Sequence, residues 1–137
     1  MIGLVVIVLI LVIIGLIFLK FYLSSHTGLD SSSVFSIKAN NLANAIKFAS
    51  VCNGDLSDAV IACCNQKIFC NQNACEFSNN EIKKIIDKSI EEEVYFEAKS
   101  QDSLCFSINK ECTGISSTQN LIRNQDGESK ISLKICA

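Results

Sequence analysis

Ile2 to Leu19 is an unbroken run of apolar residues and glycine. A surface helix carries its apolar residues as a stripe; one that is apolar all round must lie in lipid or inside protein. At 1.5 Å per residue, Ile2 to Leu23 spans roughly 33 Å as a helix, against a bilayer hydrocarbon core of about 30 Å. Leu, Ile and Val fill most positions, with Gly3 and Gly15 as interruptions. Lys20 can snorkel, and Phe21 and Tyr22 stand where interfacial aromatics are expected. A cleaved secretory signal has a basic start, a shorter apolar stretch and a small-x-small cleavage site. Here no Lys or Arg precedes the run, and Leu23-Ser24-Ser25-His26 is a poor site. A buried helix of a soluble domain is rarely this uniform. The expectation is a retained membrane segment over residues 1–23.

The second constraint is cysteine. Cys52, Cys63, Cys64, Cys70, Cys75, Cys105, Cys112 and Cys136 all lie beyond the apolar run. An even count past a membrane segment reads as a disulfide framework in an oxidising compartment. No C-x2-C pair occurs and the one histidine, His26, adjoins the membrane segment, so neither a zinc site nor a thioredoxin-like motif is expected. Eight cysteines allow 105 pairings. Spacing favours Cys105 with Cys112, closing a short loop between extended segments. Cys63 and Cys64 are neighbours and should reach different partners among Cys52, Cys70, Cys75 and Cys136.

The remaining 110 or so residues suit one small domain. Ser24 to Ser33 is polar and holds Gly28 and Asp30, reading as a linker or a weak stretch in one long helix. Over Val34 to Val51, Phe35, Ala39, Leu42, Ile46 and Ala49 recur at helical spacing. That stripe packs on the domain's own sheet or also touches neighbouring subunits, and Gly54 is expected to end the segment. Ser57 to Cys64 suits a short helix capped by Ser57 or Asp55. Asn65 to Phe77 reads as a stapled loop. Ser78 and Glu81 have the capping-box spacing that opens a helix to Ile90, with Ile82, Ile85, Ile86 and Ile90 buried. After Glu91 the period becomes two, over Val94–Ala98, Leu104–Ile108 and Ile131–Ile135, with a further short strand at Asn120–Arg123 and a turn at Asp126-Gly127. The fold class is therefore α+β: a long hydrophobic-then-amphipathic N-terminal helix, then a disulfide-stapled domain of short helices and an antiparallel sheet. Its divisions are 1–23, 24–51 and 52–137.

Chemistry is sparse. The net charge is −2 and the pI about 5.3, with no basic patch to engage nucleic acid. No G-x-S-x-G, H-E-x-x-H, P-loop or G-x-G-x-x-G occurs. Glu91-Glu92-Glu93 reads as a solvated run rather than a cation site. No catalytic, cofactor-binding or metal-ligating residues are expected, and no N-glycosylation sequon is present. A membrane-tethered thiol enzyme would require some cysteines to stay reduced.

A uniformly apolar N-terminal helix continuing as an amphipathic one to about residue 50, then a cysteine-bearing sheet domain, resembles the type IV pilins. It is most similar to small archaeal pilin-like secreted proteins. Met1-Ile2-Gly3-Leu4-Val5 resembles a mature pilin start; many bacterial members carry Glu where Val5 stands, and archaeal members often lack it. The resemblance implies a cell-surface filament subunit stored in the membrane before assembly. Its partners would be copies of itself in a helical array. Polymerisation would run through Ile2, Leu4, Val5, Val8, Leu11, Val12, Gly15, Leu16, Phe18 and Leu19. It also implies that Cys136 staples the C-terminus. The alternative is a monomeric, single-pass anchored binding domain.

Overall fold

The computed structural model describes residues 2–26, 31–52 and 54–136. The chain divides into two compact units, Met1–Ser33 and Val34–Ala137. The first is the helix α1 (Ile2–His26). Residues 27–30, in the polar stretch expected as linker or weak helix, lie outside the described residues, and with them the continuity of the helix there.

The second unit begins on α2 (Ser31–Phe48). The apolar stripe anticipated there is real. Ala39, Leu42, Ala43 and Ile46 are buried, and Phe35 and Ala49 pack against the same core. The helix ends at Phe48, short of the expected Gly54. Two small strands follow instead, β1 (Ser50–Val51) and β2 (Gly54–Asp55), paired antiparallel. Gly54 serves a close approach instead, since a Cβ there would sit 2.8 Å from the Asp58 carboxylate. That carboxylate accepts at 3.2 Å the backbone N–H of Asp55, the expected N-cap of the next helix, α3 (Leu56–Cys64).

The expected loop at 65–77 is a tight hairpin, β3 (Ile68–Phe69) with β4 (Gln72–Asn73), turned by Cys70 and Asn71 in the left-handed region. Helix α4 (Ala74–Ser89) then begins four residues earlier than the capping-box spacing predicts. Asn73 is the cap; its side-chain oxygen accepts from the N–H groups of Cys75 at 2.9 Å and Glu76 at 3.2 Å. Ser78 is an interior residue, fully buried.

Five strands form the main sheet: β5 (Val94–Ser100), β6 (Ser103–Ile108), β7 (Gly114–Ser116), β8 (Asn120–Asn124) and β9 (Gly127–Cys136). The order is β6-β5-β9-β7, all antiparallel, with β8 also paired to β9. The ten-residue β9 thus meets β8 with its first half and β7 with its end. The turn into β9 is Gln125-Asp126. Gly127 pairs with Asn124 at φ +147°, a conformation that favours glycine. The alternation read from the sequence selects the core face: Val94, Phe96, Ala98, Ile108, Ile131, Leu133 and Ile135 are all buried. Leu104 departs from it. A register shift between Ala98 and Lys99 sets Leu104 opposite Lys99, where it is exposed. The α2, α3 and α4 faces close over this sheet around Phe96, Leu56, Ile61 and Ile82.

Candidate functional site

Two surfaces carry what the sequence singles out: α1 and the disulfide framework. In α1, Val5–Tyr22 is long and apolar enough to cross a membrane, with mean hydropathy 3.0 and none of it buried. Val5, Val8, Leu11, Val12, Gly15, Leu16, Phe18 and Leu19 are exposed, and Phe18 at 74% is the most open. The side chains of Ile2 and Leu4 lie outside the described residues. Val5, Val8, Leu9 and Val12 line a shallow apolar furrow along one side of the helix. A Cβ added at Gly15 would meet nothing within 4 Å.

All eight cysteines are paired. Cys52 bonds Cys70, tying the β1–β2 turn to the β3–β4 turn. Cys63 bonds Cys75, with Cα atoms 4.5 Å apart, joining α3 to the first turn of α4. The neighbours do take different partners, but Cys64 reaches outside the expected set, to Cys105 on β6. Cys112 bonds Cys136. The expected Cys105–Cys112 loop is therefore corrected. Cys105 sits beside the register shift and packs with Ala62, Cys63 and Ala74 under the helices. Beyond β6 the chain passes through Asn109, left-handed at φ 64°, and Asn109 donates to the Val94 carbonyl at 2.7 Å. It continues to β7 beside the end of β9, and this brings Cys112 to Cys136.

On the sheet face turned from the core, Glu97 is a hub. Its Oε1 accepts from Lys99 Nζ and Ser132 Oγ, each at 2.9 Å, and its Oε2 accepts from the Tyr95 hydroxyl at 3.0 Å. Burial pushes the Glu97 carboxyl up, but the bonds from Lys99, Ser132 and Tyr95 outweigh it, and the net shift is downward. Burial, then the hydrogen bond to Glu97, pushes Tyr95 up to about 12. Lys134 lies 6.0 Å over the Tyr95 ring. This network has no signal in the sequence beyond strand alternation. It is an internal polar staple, in which nothing nucleophilic is activated.

The Glu91–Glu93 run splits in role. Glu92 accepts from Lys38 of α2 at 2.9 Å, a bond that draws its carboxyl below the usual range, while Glu91 and Glu93 are solvent-exposed. Among the described residues no group of three or more His, Cys, Asp or Glu side chains could hold a metal ion. A polar basin of about 450 Å³ lies where the β5–β6 and β8–β9 turns meet, with Asp102, Asp126 and Glu128 on its walls. Asp126 is engaged by Lys67 and Glu128 by Arg123.

The chain matches no protein-family model, no curated protein and no solved structure.

Proposed function

We propose that this chain is a structural subunit of a pilin-like extracellular filament, polymerising through α1. The observation that carries this reading is the contrast between the two units. From Val5 to Tyr22 no residue is buried, whereas the second unit fills its own core with α2, α3, α4 and the sheet. A rod of mostly branched side chains, uncharged from Val5 to Leu19, is stable in lipid, and equally in contact with like rods, where packing replaces lipid tails. Copies meeting through unlike surfaces build an open helical array. The four bridges suit a head exposed to an oxidising exterior.

The test is Val8→Asp, with surface fibres counted by immunogold labelling against the unmodified chain. A carboxylate costs up to about 2.5–3.5 kcal/mol in a membrane, the figure for a helix centre, and Val8 lies within the span toward its start. The expected result is loss of the chain from surface fibres. Normal fibre content would contradict packing through α1. The second reading, a monomeric anchored binding domain, draws on the same span. It predicts a detergent-soluble monomer and no fibres. The thiol-enzyme reading has no free cysteine to work with.

A further inference from the structure

The four bridges differ in their surroundings. Cys63 is buried, and its partner Cys75 packs with Cys105 against Ala62 and Ala74, where α3, α4 and β6 meet. Cys112 and Cys136 are half-buried. The backbone of Cys136 is fixed as well: it pairs with Gly114 of β7 and donates its N–H to the Glu93 carbonyl at 2.8 Å. Cys52 stands apart. Of the eight cysteines it alone is exposed, in the turn between β1 and β2.

Its partner Cys70 is unusual in another way. Phe69 pairs with Gln72, so Cys70 and Asn71 alone make the β3–β4 turn, at φ 51° and 63°. Two positive φ values define a mirror-image hairpin turn, whose central places favour Asn, Asp or Gly. Asn71 tolerates the left-handed region; a cysteine, with an ordinary Cβ and no side-chain amide, is strained there. Cys70 is the only cysteine among the described residues with a positive φ. Opening its bridge lets that turn relax. The base of the hairpin is held independently: Lys67 donates its N–H to the Ala62 carbonyl at 2.8 Å, and the Phe69 and Phe77 rings lie 5.5 Å apart.

We infer that Cys52–Cys70 is a thiol–disulfide exchange site, at which a low-molecular-weight thiol opens the head locally. Exposed and strained bridges are the ones that exchange. The attacking thiolate bonds to Cys52 Sγ, the accessible sulfur, and the bond from that sulfur to Cys70 Sγ breaks. Cys70 leaves as a thiolate and takes a proton from water. One disulfide has replaced another, with no net oxidation. A second thiol then frees Cys52; the two small thiols leave as a disulfide, and their two electrons remain in the opened bridge. Cys52 is the first bridged residue after α2, and with its bridge open that place passes to Cys63. The chain from the end of α2 to α3 then rests on non-covalent contacts, while the other three bridges keep α3, α4 and the sheet joined. Such a local opening is far cheaper than global unfolding. It is independent of whether the chain builds a fibre.

The test exposes the full chain in detergent to reduced glutathione, quenches at short times with N-ethylmaleimide, and maps the cysteines by mass spectrometry without further reduction. The expected product carries glutathione on Cys52 and the maleimide on Cys70, several-fold ahead of any other cysteine. Earlier labelling of another pair, equal labelling of all eight, glutathione on Cys70 instead, or no labelling short of unfolding overturns the assignment. The Cys52→Ala, Cys70→Ala chain should stay unlabelled over the same interval; labelling elsewhere at the original rate would refute the role given to this bridge. Hydrogen exchange separates local opening from plain unfolding. In the glutathione-treated chain, residues 50–55 and 68–73 should exchange several-fold faster, with β5 and β9 unchanged. Faster exchange across the whole sheet, or none at the two turns, would contradict a local device.

Discussion

At the scale of single residues, the head is governed by a few well-defined environments. Glu97 accepts three hydrogen bonds on a face that alternation alone marks as polar. Its folded pKa lies below the ordinary 4.5. A depressed carboxyl contributes stability above its unfolded pKa and loses it as pH falls through the folded one. The thermal midpoint of the full chain in detergent should therefore fall as pH drops below 4.5, and less steeply in Glu97→Gln. An identical acid limb in the two would contradict the hub. Tyr95 has the opposite sign. Raised from 10.0 to about 12, it contributes below pH 10 and its share is lost as pH climbs toward 12. In the core, Phe96 is fully buried with its ring 5.7 Å from that of Phe106. Phe96→Ala should cost about 3–5 kcal/mol in denaturant unfolding, whereas Ile68→Ala, at a site 77% exposed, should change stability by no more than about 0.5 kcal/mol. Phe96 is legible from period two. Tyr95 is not, because its burial comes from its links to Glu97 and Lys134 rather than from the strand's own pattern.

At the scale of elements, legibility follows the reach of the forces. Ile82 and Ile86 stand out in the sequence as the buried face of α4, since burial imprints a helical period directly. The start of α4 is ambiguous in sequence because two local signals compete. Ser78 with Glu81 has capping-box spacing, but Asn73 offers its side chain one turn earlier, where the Cys63–Cys75 bond also holds the chain to α3. The two assignments differ in outcome. Asn73→Ala should cost about 1 kcal/mol, measured by thermal unfolding. Ser78→Ala should cost nothing, because its buried hydroxyl has no hydrogen-bond partner to lose. A penalty at Ser78 with none at Asn73 would restore the later start. The shift that exposes Leu104 and the three-residue β7 are invisible in sequence, since both depend on register against β5 and β9.

At the scale of the whole molecule, covalent closure starts only after α2. Every bridge lies between Cys52 and Cys136. Helix α2 is held by Ala39, Leu42, Ala43 and Ile46, by Lys38 on Glu92, and by Asn40, which accepts from both the N–H and the hydroxyl of Thr118. The pairing pattern is out of reach of the sequence, because spacing ranks short loops first while the fold brings Cys64 to Cys105 across 41 residues. Loop entropy makes that bridge the most stabilising, about 4 kcal/mol against about 3 kcal/mol for Cys63–Cys75, whose loop spans 12. Replacing each pair by alanines and comparing unfolding midpoints should show that order; the reverse order would contradict loop entropy as its source. The apolar run Ile2 to Leu19 is legible from composition alone, and α1 bears it on a helix with nothing buried from Val5 to Tyr22. The proposal that this helix builds a fibre is tested most directly by electron microscopy of material sheared from the cell surface, with mass analysis of its peptides. The account predicts filaments that contain this chain, with α1 helices in their core. Finding the chain only in membranes, with no filament, would contradict it.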